Sequence, residues 1–320
     1  MTVTKTIRNF SLLFLILFAF TQCQQVKENA DQVLNQIERT IYKPNLNAPV
    51  LGAYDLQIDS VSSIGDDIDQ TSPKFIKKRI EEMYGNSMRY WTEKAGLQYP
   101  PKQVLFRTFK KEKEFEIWGS NSAKDTMKLL TTFEICAGDD EPMPKTRQGD
   151  WKTPEGFYHL TTLYGSELRW MWIDLEEDYH FITPQVGQGS SYKLWLNYPN
   201  NFDRSRTKAI HQNQVSTGGE ICIHGNCVSA GCISFENNLY SAVFGFSQYH
   251  SHKKFGKPQI HIFPFRFQNE KQEDYLQDLT EIEKQEIKQL WKMLEKGDSI
   301  FNKTKKPLKW KVNKNGYRFK

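Results

Sequence analysis

The sequence predicts a mostly-β body between two helical flanks. From about residue 103 to residue 265, short stretches rich in β-branched and aromatic residues alternate with Gly, Pro, Asn and Asp. Runs of this kind, bounded by turn-forming residues, are typical of strands in a sandwich-like fold. The predicted strands are Val104–Phe106, Phe115–Trp118, Leu129–Ile135, Gly156–Thr162, Tyr192–Leu196, Glu220–His224 and Gln259–Phe265.

The N-terminal flank contains one predicted helix, from about Pro73 to Ala95. Apolar residues recur there among Lys and Glu at a passable helical spacing, and the Tyr99-Pro100-Pro101 run ends it. The apolar positions are Phe75, Ile80, Met83 and Tyr84.

The C-terminal flank carries a second predicted helix. Thr280 and Glu283 fit a capping box at its start, and Gly297 is expected to cap its end. The apolar positions between them are Ile287, Leu290, Trp291 and Leu294. From Lys303 onward the chain has only basic charges, and Asn315-Gly316 predicts a hairpin turn.

The first residues predict export from the cytoplasm. Lys5 and Arg8 precede an apolar run from Phe10 to Phe20 that is too short to be a permanent membrane span. Cys23 follows where a bacterial lipoprotein signal places its lipid-modified cysteine, although Phe20 and Gln22 replace the preferred Leu and small residue. The alternative is an ordinary cleaved signal.

These patterns divide the chain into four regions. With a hydrophobic fraction of 38% and a charged fraction of 25%, the composition is that of a globular protein rather than of a disordered or membrane-spanning one. We expect a signal segment at 1–23, a helical region at 24–102, a mostly-β domain at 103–266, and a helical extension with a basic tail at 267–320.

The cysteines limit the disulfides that can form. Cys136, Cys222, Cys227 and Cys232 remain once Cys23 is set aside. If one of them is a free nucleophile, at most one disulfide can form within the chain.

The segment 221–235, ICIHGNCVSAGCISF, carries the chemistry. A cysteine nucleophile needs a base and nearby backbone N–H donors. A strand-like stretch ending at His224 supplies the base, Gly225 allows a turn, and Ser229-Ala230-Gly231 presents Cys232 among small residues.

This segment resembles the active-site motif of the L,D-transpeptidase catalytic domain, or YkuD domain, and the short gap from His224 to Cys232 agrees with the YafK-like branch of that family. Two further segments resemble family motifs, in the same order along the chain. They are Gly149-Asp150-Trp151-Lys152-Thr153-Pro154-Glu155-Gly156-Phe157-Tyr158 and Asn197-Tyr198-Pro199-Asn200-Asn201-Phe202-Asp203-Arg204.

The resemblance implies a mostly-β, YkuD-type domain that needs no cofactor. A Cys232 thiolate would attack the meso-diaminopimelate carbonyl of a peptidoglycan tetrapeptide stem, with His224 as base. The remaining implied site residues are Ser229 as an orienting or substrate-binding group, Gly231, Gly225 and the Cys232 amide at the oxyanion, and Tyr198, Asp203 and Arg204 at the substrate. Asp203 and Arg204 could equally form a structural salt bridge instead of binding substrate.

Four alternatives stay open. A hydrolase, either amidase or L,D-carboxypeptidase, would use the same residues with water as acceptor. A non-catalytic wall-binding lipoprotein would not need the thiol. A zinc site could use Cys222, His224, Cys227 and Cys232, although paired C-x-x-C arms are lacking. The basic tail is either a solvated face or an attraction to anionic lipid or cell-wall polymer. No nucleic-acid-binding motif is present.

Overall fold

The computed structural model describes residues 73–161, 193–225 and 227–320. The predicted signal segment, the lipidation position Cys23 and the polar region after it lie outside these residues, as do the predicted strand ends Thr162 and Tyr192. The helices are α1 (Pro73–Lys94), α2 (Asn201–His211), α3 (Asn237–Tyr249), α4 (His252–Phe255) and α5 (Glu281–Thr304). The strands are β1 (Gln103–Phe109), β2 (Glu114–Ser120), β3 (Lys128–Glu134), β4 (Gly156–His159), β5 (Leu194–Trp195), β6 (Cys222–Gly225), β7 (Ile233–Phe235), β8 (Gln259–Phe263), β9 (Trp310–Asn313) and β10 (Gly316–Phe319).

Three sheets form among the described residues. A five-stranded sheet has the order β3-β2-β1-β8-β4, and all of its neighbours are antiparallel except β1 and β8. A three-stranded sheet has the order β5-β6-β7, with β6 and β7 parallel. The strands β9 and β10 form a hairpin at the basic tail, as the Asn315-Gly316 pair predicts.

The central sheet is buried on both faces. Along β1, Val104 and Phe106 belong to one apolar core, whereas Leu105 and Phe109 belong to a second core, because successive side chains of a strand point to opposite faces. The first core includes the three-stranded sheet, α1 and α3. The second includes α5 and the β9–β10 hairpin.

Helices contribute as much to this architecture as the sheets do, so the mostly-β prediction is confirmed only in part. Helix α1 matches its predicted bounds closely. Helices α2 and α3 were not predicted. The described side chains of α3 are almost all buried, so this helix lacks the polar stripe that identifies a surface helix.

Helix α5 begins at the predicted capping box of Thr280 and Glu283, but the prediction for its end is wrong. The helix continues past Gly297 to Thr304. A Cβ atom on Gly297 would lie 2.3 Å from the Phe157 ring and 2.9 Å from the Phe319 ring. This glycine therefore allows close packing rather than ending the helix.

None of the described helices is long and apolar enough to cross a membrane.

Candidate active site

Two parallel strands bring His224 and Cys232 together. Strand β6 carries His224 near its end, and Cys232 directly precedes β7. The register pairs Ile223 with Ile233, and Cys222 and Cys232 each lie one residue before this pair, side by side. Nitrogen and sulfur atoms of Cys222, His224 and Cys232 all lie within 4.8 Å of one another. The strand pairing thus places the predicted base beside the predicted nucleophile.

The surroundings of Cys232 favour its thiolate. A hydrogen bond from Cys222 lowers the pKa of Cys232 well below that of an ordinary thiol, and a hydrogen bond and charge attraction from His224 act in the same direction, against the effect of burial. Its side chain is partly exposed, whereas Cys222 is buried. A thiolate of this kind is accessible and reactive.

The carbonyl that follows His224 fixes its tautomer. His224 Nδ1 lies 2.5 Å from the Gly225 carbonyl oxygen. A carbonyl oxygen only accepts, so Nδ1 carries the hydrogen and Nε2 is left to take a proton. The resemblance implies that Gly225 lies at the oxyanion. In the structure its carbonyl oxygen accepts a hydrogen bond from His224 and orients that ring.

The turn before Cys232 is closed by Ser229. The Ser229 hydroxyl donates to the Cys232 carbonyl oxygen at 2.6 Å and accepts from the Gly231 N–H at 3.1 Å. Gly231 has φ +113°, a backbone conformation that side-chain-bearing residues avoid. A Cβ atom there would lie 2.6 Å from the Lys152 carbonyl oxygen. Only glycine fits this position.

A disulfide fastens the same turn to the rest of the body. Cys136 is bonded to Cys227, with their Cα atoms 5.4 Å apart. Next to it, the Cys136 N–H donates to the Ser234 carbonyl and the Ser234 N–H donates to the Ala137 carbonyl. This one bond leaves Cys222 and Cys232 free, and it removes Cys227 from the four-ligand zinc set.

The loop that presses on Gly231 contains a residue that sequence reasoning missed. Asp150 accepts hydrogen bonds from Lys145 Nζ and from the backbone N–H groups of Thr146, Arg147 and Lys152. Trp151, between two residues of this network, has φ +61° and leaves 36% of its surface exposed. A bulky aromatic residue in this strained conformation, one residue before the contact with Gly231, is a candidate substrate contact. Its signal in the sequence is its place in the segment from Gly149 to Tyr158, which resembles a family motif.

The structure does not bring the other predicted substrate residues into the same contact network. Tyr198 is buried, and its hydroxyl donates to the Thr217 carbonyl. Asp203 is 1% exposed and accepts from the Asn200 N–H, Tyr158 and Arg206. Its carboxylate closes the capping box of α2. Arg204 is exposed on the first turn of that helix.

The family model of the L,D-transpeptidase catalytic domain, YkuD, matches residues 123–301. The chain is 29% identical over 210 residues to the "Putative L,D-transpeptidase YafK" of Escherichia coli (strain K12). The match covers 64% of this chain and 68% of that protein. The protein of the same name from Escherichia coli O157:H7 gives the same values.

Two solved structures are also similar. Bd1075 of Bdellovibrio bacteriovorus is 16% identical with a TM-score of 0.31, and the match covers 64% of this chain and 60% of that one. The helical cell shape determining protein Pgp2 of Campylobacter jejuni is 17% identical with a TM-score of 0.33, over 73% of this chain and 80% of that one.

Proposed function

This chain belongs to the L,D-transpeptidase catalytic domain family, and from that membership and the geometry of the site we propose that it is a cysteine acyltransferase acting on peptidoglycan stem peptides. The observation that carries the proposal is the pairing of a partly exposed Cys232 with His224 at the ends of two parallel strands. A binding protein would need neither the thiol nor the base at this turn.

In the first step, the Cys232 thiolate attacks the carbonyl of the meso-diaminopimelate residue in a tetrapeptide stem. The proton of the thiol has passed to His224 Nε2. The tetrahedral intermediate collapses with loss of the terminal residue, whose amine takes that proton from His224. A thioester between Cys232 and the shortened stem remains.

In the second step, an amine from another stem attacks the thioester. His224 Nε2 removes the proton of this amine as the new amide bond forms. Cys232 leaves as a thiolate and the site returns to its starting state. A site that stabilises the thiolate favours this departure, because a thiol of lower pKa is the better leaving group.

Backbone amides at the turn would stabilise the oxyanion. The Gly231 N–H already donates to Ser229, so we assign the main donor role to the Cys232 N–H. Gly231 contributes space, and Ser229 contributes by holding the turn. Tyr198 is too enclosed to contact a stem without rearrangement, whereas exposed Arg204 can reach a carboxylate.

The location and domain division belong to the same proposal. The signal segment at 1–23 would export the chain to the periplasm or cell envelope, and lipidation of Cys23 would anchor it to a membrane. Residues 103–266 would form the catalytic domain, flanked by the regions 24–102 and 267–320. Peptidoglycan stems outside the cytoplasm are then within reach of the enzyme.

A hydrolase is the second candidate, and the short connection from Gly225 to Gly231 favours it. Part of this connection is open, since Val228 is 39% exposed. A short connection offers little wall to exclude water from the thioester. Water attacking the same carbonyl would release a trimmed stem, with His224 again taking the proton.

The deciding experiment uses a purified fragment that bears a tetrapeptide stem. The enzyme and the Cys232→Ala variant are each incubated with it, with and without an added D-amino acid, and products are identified by mass spectrometry. We expect the amine to be incorporated, together with some trimmed stem, and only with Cys232 present. Trimmed stems alone at every amine concentration would replace the transpeptidase with the hydrolase. No product from a folded enzyme would favour the wall-binding lipoprotein.

A further inference from the structure

Next to the nucleophile lies a second free thiol that the proposed mechanism does not use. Cys222 Sγ is 3.6 Å from Cys232 Sγ, within hydrogen-bonding range for sulfur. Cys222 is 1% exposed. Cys222 is the first residue of β6 and Cys232 directly precedes β7, so the start of the β6–β7 ladder at Ile223 and Ile233 holds the two sulfurs side by side.

We propose that Cys222 is a positioning residue for the reaction: its S–H group donates a hydrogen bond to the Cys232 sulfur and holds that sulfur as the attacking thiolate. The role rests on the proposed function, in which Cys232 is the nucleophile. Cys222 keeps its own proton throughout and forms no bond to the substrate.

The direction of this hydrogen bond follows from the surroundings of the two sulfurs. The hydrogen bond to Cys232 and burial raise the pKa of Cys222. Since Cys222 is the buried sulfur and Cys232 the partly exposed one, Cys222 keeps its proton and is the donor. A ring nitrogen of His224 lies within 4.8 Å of the same sulfur, and its charge also favours the thiolate. Cys222 and His224 thus act on one sulfur.

The opposite side of Cys232 explains why such a donor is needed. The Glu220 carbonyl oxygen lies 3.8 Å from Cys232 Sγ, and Glu220 itself has φ +58°. A carbonyl oxygen can accept from a neutral thiol but repels a thiolate. The neutral form therefore has a partner at Glu220, and the charged form relies on Cys222 and His224.

Other charged and titratable groups lie near the pair. Lys193 favours the charged form of the Cys222 thiol and Glu220 disfavours it. Tyr240 on α3 is buried, and burial together with the nearby Cys222 raises the pKa of its hydroxyl. Lys152, whose carbonyl lies near Gly231, directs its ammonium to Glu141. Cys136 and Cys227 are joined in a disulfide and do not titrate.

The test is the pH dependence of Cys232 alkylation by iodoacetamide, followed by intact-mass measurement. It needs no substrate. Cys222→Val removes the donor while keeping similar volume in a strand, and Cys222→Ser retains a hydroxyl donor. In the unchanged enzyme we expect the alkylation midpoint to lie below the pH of about 8.5 of a free thiol.

In Cys222→Val we expect this midpoint to rise by about one pH unit. Well below the midpoint the thiolate fraction then falls about 10-fold, and the observed alkylation slows about threefold once the faster plateau rate is included. The plateau rate at high pH should rise about threefold, because a thiolate of higher pKa is the stronger nucleophile. Cys222→Ser should keep most of the low midpoint. Thermal unfolding of both variants shows whether the strand pair is intact.

An unchanged midpoint in a folded Cys222→Val variant would overturn the proposal, even if stems are processed normally. If Cys222→Val does not fold, an unshifted midpoint in Cys222→Ser supports the donor role, and a midpoint in Cys222→Ser as high as that of a free thiol contradicts it. If the midpoint shifts in Cys222→Val but the unchanged enzyme processes no stem, the proposed function is refuted and the hydrogen bond between the two thiols is still supported.

Discussion

Two turns in this protein carry family-like motifs, and they use their polar groups in opposite ways. In the turn from Gly225 to Cys232, the thiol at the end is partly exposed and its charged form is stabilised. In the turn from Tyr198 to Asp203, the carboxylate is enclosed and accepts three hydrogen bonds from the protein itself. The first turn leaves the Cys232 sulfur accessible, whereas in the second turn the Asp203 carboxylate caps the start of α2.

The difference shows that resemblance to a motif does not give each of its residues the same task. Stabilising an exposed thiolate costs the fold little and creates reactivity. A buried carboxylate must be paired with hydrogen-bond donors or a positive charge. Removing it leaves those partners buried and unpaired, which lowers the free energy of unfolding. Substitutions in the two turns should therefore separate activity from stability.

The largest effect on activity is expected from Cys232→Ala. Turnover should be abolished, because no other described thiol is accessible: Cys222 is buried and Cys136 is bonded to Cys227. The free energy of unfolding should fall by at most about 1 kcal/mol, since a small, partly exposed side chain contributes little packing. Product analysis and urea unfolding measure the two quantities. Full activity in this variant would refute the mechanism.

His224→Ala should slow turnover by about 10²–10⁴-fold, the usual contribution of a positioned acid–base group. It should also slow alkylation of Cys232 near neutral pH, because the thiolate loses one of its partners. The two rates are measured on the same sample. A lost turnover with an unchanged alkylation rate would assign His224 to substrate positioning instead.

Asp203→Ala should act mainly on stability. Removing this carboxylate leaves Arg206 buried without its partner and takes away the cap of α2, which we expect to cost about 3 kcal/mol of unfolding free energy. Turnover per folded molecule should change less than about twofold. A raised KM with unchanged stability would show that Asp203 binds the stem, as the resemblance implies.

Arg204→Ala should give the smallest effect, and on binding alone. An exposed guanidinium that meets a stem carboxylate contributes about 1 kcal/mol, which corresponds to about a fivefold higher KM. Stability should not change. Lys208→Ala, an exposed cation one turn further along α2, is the matched control. Equal effects of the two substitutions would indicate general charge attraction rather than a contact by Arg204.

The sequence was sufficient to predict that His224 and Cys232 lie close together, because both lie in one continuous segment. It also predicted α1, the start of α5, and the approximate position of each strand in the central sheet. The contact between Cys222 and Cys232 could not be predicted from the sequence, because it depends on the parallel register of β6 and β7. The same holds for the disulfide, because four cysteines allow several pairings and only the fold selects Cys136 with Cys227.

The errors have physical causes as well. Gly297 has the residue type of a helix cap, but the approach of Phe157, distant in sequence, determines its role. The helix that follows Asn200 was missed because its capping box uses Asn and Asp, a pair that also forms turns.

The central claim is that a stem is held on Cys232 as a thioester, and trapping that species tests it most directly. The enzyme is mixed with a tetrapeptide stem without acceptor amine, quenched in acid and digested. The mass of the peptide that contains Cys232 is then measured by mass spectrometry. We predict added mass equal to the stem without its terminal residue, removed by hydroxylamine and absent from Cys232→Ala. Stem processing that proceeds with no such adduct, and that persists in Cys232→Ala, would contradict the account.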